Sequence, residues 1–163
     1  MRMAKVISDL RLLMLVLLSV IFNCSFAQTK FVKKFRPLAD SLSTEYGIPA
    51  SVILGISVLE SSSGTSRNCK LLNNYFGIVG KNKLLKTKGI KTRYKQYDNA
   101  TASFIDFCHV IKKKKFYKIL KGNMNYKLWV DAISKKGYSE IPDIWKERVL
   151  TTIRKNKLST IHY

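Results

Sequence analysis

Acid is what this sequence has least of. Ten Asp and Glu stand against thirty Lys and Arg, a net charge of +20 over 163 residues. That balance excludes an acidic solvating tail and leaves few carboxylates for any proton-transfer chemistry. Cysteine is scarce too, at three, which excludes a disulfide-dense scaffold. The two histidines, His109 and His162, make no zinc-ligand spacing with those cysteines. Neither a metal nor an organic cofactor is therefore expected. Prolines and glycines are few and scattered, so there is no low-complexity linker, and no internal repeat occurs. The length then fits one domain. No helix-turn-helix, RNA-recognition or zinc-finger signature accompanies the basic charge, so nucleic acid is not the expected partner.

What is present begins with an export signal. Arg2, Lys5 and Arg11 precede an almost wholly apolar run from Leu12 to Phe22, and Ser25, Phe26 and Ala27 supply small residues for a signal peptidase. The run is too short to span a membrane. Cleavage is expected after Ala27, leaving 28–163 as the mature domain. Cys24 also raises lipid attachment, which Asn23 before it disfavours. Cleavage removes three cations and one anion, Asp9, so +20 becomes +18 and nine carboxylates remain. Such a charge calls for an anionic setting, such as an acidic cell-wall polymer, outside the cytoplasm: periplasm, cell envelope or medium. The run Lys112 to Lys115 reads as the solvated end of a helix. Cys69 and Cys108 survive cleavage, either paired or as two buried thiols.

Apolar spacing predicts helices over 29–46, 50–60, 101–114, 125–136 and 142–155. Phe31, Phe35, Leu38 and Leu42 mark the first face, and Trp145, Val149 and Ile153 the last. Residues 50–60 are apolar nearly all round, the pattern of a buried helix. A polar loop is expected at 68–77 and a small β-lobe or hairpin at 78–97. The fold class is α+β, predominantly helical.

Glu60 breaks the pattern of its helix. At 100° per residue it lies about 20° from Ile53 and about 40° from Ile56, so it points along the apolar stripe. It also sits at the carboxyl end, where the helix dipole disfavours negative charge. Both effects favour the protonated acid. A carboxyl group that stays protonated near neutral pH can protonate the leaving oxygen of a glycoside.

The motifs around Glu60 extend this. Tyr46-Gly47-Ile48-Pro49 leads in, Leu59-Glu60-Ser61 ends the buried helix, and Asn73-Asn74-Tyr75-Phe76-Gly77-Ile78 follows. Arg93 to Asp98, then Ser103, Asp106 and Phe107, come next, and Gly137-Tyr138-Ser139 with Pro142 and Trp145 closes the series. In this order they resemble the glucosaminidase domain of glycoside hydrolase family 73, over nearly all of the mature chain. The resemblance implies a lysozyme-like fold with a small β-lobe. It also implies hydrolysis of the β-1,4 bond after N-acetylglucosamine in peptidoglycan, by a monomer acting on glycan strands. Carried over, Glu60 is the general acid and Tyr138 lies near the reacting sugar. Asn74, Phe76 and Gly77 shape the cleft floor. Tyr75, Tyr94 and Tyr97 join them as candidate substrate contacts, since aromatic faces suit sugars. Core packing is the alternative for Phe76, and hairpin packing for Tyr94 and Tyr97.

Two departures from the family stand out. Ser62-Ser63 replaces a glycine-tryptophan pair, and no Asp or Glu lies between Gly77 and Tyr97, where many members carry a second carboxylate. Asp98, just beyond, is the nearest. Water activated by Asp98 or Tyr138, attack by the substrate's own acetamido group, or glycan binding without turnover remain open. A lytic transglycosylase and a non-catalytic cationic wall-binding protein are the rival functions.

Overall fold

In the computed structural model, residues 30–136 and 140–159 are described. The expected leader 1–27 with Cys24, and the 137–139 segment with Tyr138, lie outside the described residues.

Eight helices account for most of the described chain. Helix α1 covers 30–46. It is followed by α2 (Ala50–Ser61), α3 (Arg67–Leu72), α4 (Leu84–Lys88), α5 (Ala100–Lys112), α6 (Lys115–Leu120), α7 (Tyr126–Ser134) and α8 (Pro142–Lys155). The five predicted helices form within two residues of their expected ends. Helices α3, α4 and α6 were not foreseen. Ser66 caps the first of these through its side-chain oxygen, turning the front of the expected 68–77 loop into a helical turn.

Helix α2 is the centre. Every residue from Ala50 to Val58 is buried, as its all-round apolar sequence requires. Each buried Val, Ile or Leu contributes roughly 1.5–3 kcal/mol of apolar transfer. Helices α8 and α7 pack on one side of α2. A Cβ on Gly55 would fall 2.5 Å from Ile153 Cγ1, so this glycine sets how closely α8 approaches. Trp145, Val149 and Ile153 bury the predicted stripe of α8. Lys146 of α8 pairs with Asp131 of α7, and Lys135 pairs with Asp131 as well. On the other side α1 lays Phe31, Phe35, Ala39, Leu42 and Tyr46 into the core, with Leu38 only half-buried. Phe35 stacks on Phe104 of α5, with ring centroids 5.0 Å apart.

The expected β-lobe takes a sparser form. Among the described residues, 78–97 contains one antiparallel bridge, Val79 with Tyr94, and no longer strand. The Asn82 amide donates to the carbonyls of Thr92 and Tyr94, both at 2.9 Å, and ties the two arms together. Three backbone bonds, Gly80 N–H to the Arg93 carbonyl, Lys95 N–H to that of Ile78 and Gln96 N–H to that of Lys81, join the arms as well, and α4 lies in the connection between them. Cys69 and Cys108 are both buried and free, which fits the two-thiol reading. Lys112, Lys113 and Lys115 are exposed at the α5–α6 junction as expected, whereas Lys114 is half-buried.

Candidate active site

Glu60 stands one residue before the end of α2, where the buried helix emerges. Ser62 and Ser63, both with positive φ, and then Gly64 turn the chain away. The carboxyl group that remains is half-buried and held from two directions. Trp145 of α8 donates its indole N–H to Glu60 Oε1 at 2.7 Å. On the other side lies Gly77, whose φ of +67° suits glycine. A Cβ there would sit 3.5 Å from Glu60 Oε2. That is ordinary van der Waals distance, so Gly77 and the second carboxyl oxygen are neighbours in the cleft lining.

Burial raises the Glu60 pKa above the ordinary carboxylate value. The Trp145 hydrogen bond and the Arg148 charge oppose the rise without cancelling it. The proton is thereby retained further toward neutrality, as a general acid needs.

A cleft of about 590 Å³ opens beside this carboxyl group. Gly77, Phe76 and Tyr94 line it from the loop and bridge region. Ile111 and Phe116 line the apolar side. Arg93, Lys114, Lys136 and Glu140 supply charge. Its size suits one or two sugar rings, and an apolar wall facing a few polar groups is the usual make-up of a ligand site.

The sequence-predicted residues divide. Glu60, Phe76, Gly77 and Tyr94 line the cleft together. Phe76 is 1 % exposed and stacks on Phe107 with centroids 4.2 Å apart, so most of its ring is core. Asn74 is buried with both polar atoms of its side chain engaged. Its amide donates to the carbonyls of Ile78 and Lys95, both at 2.8 Å, and its oxygen accepts from the backbone N–H groups of Phe76 and Ile78. It shapes the Gly77 turn from behind and does not line the cleft. Tyr75 packs among Phe31, Phe35 and Phe104. Burial pushes its hydroxyl up to about 12. Tyr97 donates to Asp106 Oδ2 at 2.7 Å, an oxygen that also binds Lys95 at 2.8 Å. Neither tyrosine lines the cleft. Asp98 is exposed outside it, and its carbonyl accepts from Asn73.

Two residues given no such role by the sequence reading belong here. Trp145 belongs to the apolar stripe of α8 and to the closing motif, yet a buried indole N–H requires a partner, and Glu60 is that partner. Glu140 lines the cleft from the segment leading into α8. Among the described residues no group of three potential metal ligands exists. No helix there is long and apolar enough to cross a membrane.

Comparison with known proteins places this geometry. Residues 36–158 match a family described as mannosyl-glycoprotein endo-beta-N-acetylglucosaminidase. Comparison with curated proteins gave no match. The catalytic domain of the autolysin Auto from Listeria monocytogenes superposes with a TM-score of 0.67 at 19% identity, covering 82% of this chain and 86% of that one. The FlgJ glycoside hydrolase domain from Salmonella typhimurium gives 0.64 at 17%, covering 80% and 97%. A peptidoglycan hydrolase from Sphingomonas sp. A1 gives 0.62 at 18%, covering 83% and 97%. At these identities the structures show a shared fold, and the match over 36–158 shows the family: the chain belongs to the glucosaminidase family and is a glycoside hydrolase.

Proposed function

We propose that this chain is an exported peptidoglycan hydrolase that cleaves the β-1,4 linkage after N-acetylglucosamine, with Glu60 as general acid. The observation that carries the reading is the half-buried Glu60 carboxyl, raised in pKa, hydrogen-bonded by Trp145 and open to a sugar-sized cleft. The similar folds include an autolysin domain and a peptidoglycan hydrolase, which agrees with a wall substrate.

A glycan strand lies along the cleft with its scissile oxygen at Glu60, close backbone approach being permitted at Gly77. Tyr94 offers a flat apolar face to a sugar. The acid donates its proton as the bond breaks and charge develops on the ring. Water completes the reaction, and Glu140 is the second carboxylate of the cleft available to activate it. The chain works as a monomer at the cell envelope or beyond it after cleavage at Ala27, its basic surface concentrating it on an acidic polymer.

Incubation of wild type and Glu60→Gln with purified peptidoglycan tests this. Wild type should release fragments with reducing N-acetylglucosamine ends and the variant should not. Products short of one water would instead identify a transglycosylase, and binding without release would identify a wall-binding protein.

A further inference from the structure

We propose that Arg93, Lys114 and Lys136 form a carboxylate-binding rim on the Glu60 cleft, which selects glycan bearing muramyl-linked carboxylates. The inference rests on the peptidoglycan reading above and names what that site selects.

The three cations reach one cleft from three separate segments. Arg93 belongs to the arm before α5, Lys114 to the α5–α6 junction, and Lys136 to the turn after α7. Among the described residues none of them is in an ion pair. Lys95, Lys135 and Lys146, by contrast, are matched to Asp106 or Asp131. Arg93 lies over the Tyr94 ring, 5.7 Å from its centroid. That contact orients the planar guanidinium and leaves its N–H fork free for a carboxylate.

Among the described residues, the anionic side chains of the lining are Glu60 and Glu140. Glu60 in its protonated, working form carries no charge. The functional cleft therefore holds three cations against Glu140 alone. Unpaired like charges converging on a concave surface repel each other, and a neutral glycan does nothing to relieve that. A glycan whose muramyl units carry carboxylates does. Such groups occur in two places on the polymer, along the stem peptide and, on muramyl units without a peptide, on the lactyl ether next to the scissile linkage. Both would lie beside a strand threaded past Glu60.

The chain's general basicity would also attract an anionic polymer, but it would do so from any face. Local recognition has a separable signature. Interactions held equally in the ground and transition states change KM and leave kcat alone.

The test uses soluble glycan strands in three forms: bearing native stem peptides, bearing the same peptides with carboxylates converted to methylamides, and stripped of peptide by an amidase, which leaves the lactyl carboxylate. Wild type should cut the amidated strands with about tenfold lower kcat/KM than native ones, the loss appearing in KM. Stripped strands cut like native ones show that the rim also takes the lactyl carboxylate which the amidase frees, and stripped strands cut like amidated ones restrict it to the stem peptide. The triple variant Arg93→Gln, Lys114→Gln, Lys136→Gln should cut native and amidated strands alike. A remote triple, Lys33→Gln, Lys86→Gln, Lys155→Gln, should keep the wild-type preference. Wild type cutting native and amidated strands equally overturns the inference without recourse to any variant. Equal loss of preference in the remote triple also overturns it, in favour of bulk charge. Wild type cutting none of the strands overturns the glycosidase reading itself and this inference with it.

Discussion

The indole N–H of Trp145 meets Glu60 Oε1 at 2.7 Å, across 85 positions of sequence. The bond ties the first turns of α8 to the carboxyl end of α2, two helices already locked by Gly55 and Ile153. The site's acid is therefore positioned by the core itself. Its protonation is a balance: desolvation raises the pKa, while Trp145 and Arg148 lower it.

Trp145→Phe keeps most of the apolar volume and removes only the donor. The donor favours the charged carboxylate, so its loss leaves Glu60 protonated to higher pH. The basic limb of the kcat/KM profile should move upward. Because the carboxyl group also loses its orientation, kcat should fall by about tenfold, the scale of one hydrogen bond to a charged group. A pH–rate profile measures both. A downward move of the basic limb would contradict the assigned direction.

Glu60→Gln should stabilise the fold at neutral pH while abolishing activity. A carboxyl whose folded pKa lies above its unfolded value binds protons more readily folded than unfolded. Stability is therefore lost as pH rises from the unfolded pKa through the folded one, and the full penalty applies above both. Glutamine keeps an acceptor for Trp145 and never charges. Thermal melts should show the variant melting above wild type at pH 7, with the two curves converging below pH of about 4.

The sequence allowed Glu60 and its helix to be read because both signals are local. An unbroken apolar helix must be buried, and a carboxylate on its stripe at the carboxyl end is costly unless used. The first and last helices were legible for the same reason. Helices α3, α4 and α6 have six, five and six residues, too few for a period to register. They form by tertiary contact and capping. Tyr94 and Tyr97 sit an odd number of residues apart, so an extended chain sends them to opposite faces. Which of them faces the cleft depended on Asp106, 9 residues beyond Tyr97, taking its hydroxyl. Asn74 was recognised by motif, but its role was hidden because both of its carbonyl partners, Ile78 and Lys95, are set by the bridge region. Trp145 and Glu140 reach the site from the far end of the chain, and no local pattern reports that.

Asn74→Ala separates support from sugar contact. Four hydrogen bonds are lost behind the Gly77 turn, leaving the Lys95 carbonyl and two N–H groups in need of partners, while the Ile78 carbonyl still accepts from Lys95 N–H. The cost should be about 3 kcal/mol. For a domain of this size that is a fall in Tm on the order of 10 °C. Measured at a temperature where circular dichroism shows the variant folded, KM should stay within about threefold of wild type. A large rise in KM with an unchanged Tm would make Asn74 a sugar ligand instead.

The second group of the reaction can be found by paired substitution. Asp98 carries an exposed carboxylate outside the cleft, next to Asn99, which caps α5 through Ala102. Glu140 lines the cleft with Glu60, from the approach to α8. An inverting glycosidase needs its base in the same cleft as the acid, separated from it by room for a water. Glu140→Gln should therefore lower kcat by about a hundredfold, the scale of one general base, with KM little changed. Asp98→Asn should leave both constants near wild type. If Asp98→Asn carries the loss, the cleft rearranges on binding glycan to bring that carboxylate in. If neither substitution slows an enzyme that Glu60→Gln disables, no protein carboxylate serves the water. The acetamido group of the bound sugar as nucleophile and water activated by Tyr138 are then the two readings, and inhibition by a thiazoline mimic of the cyclised intermediate assigns the first.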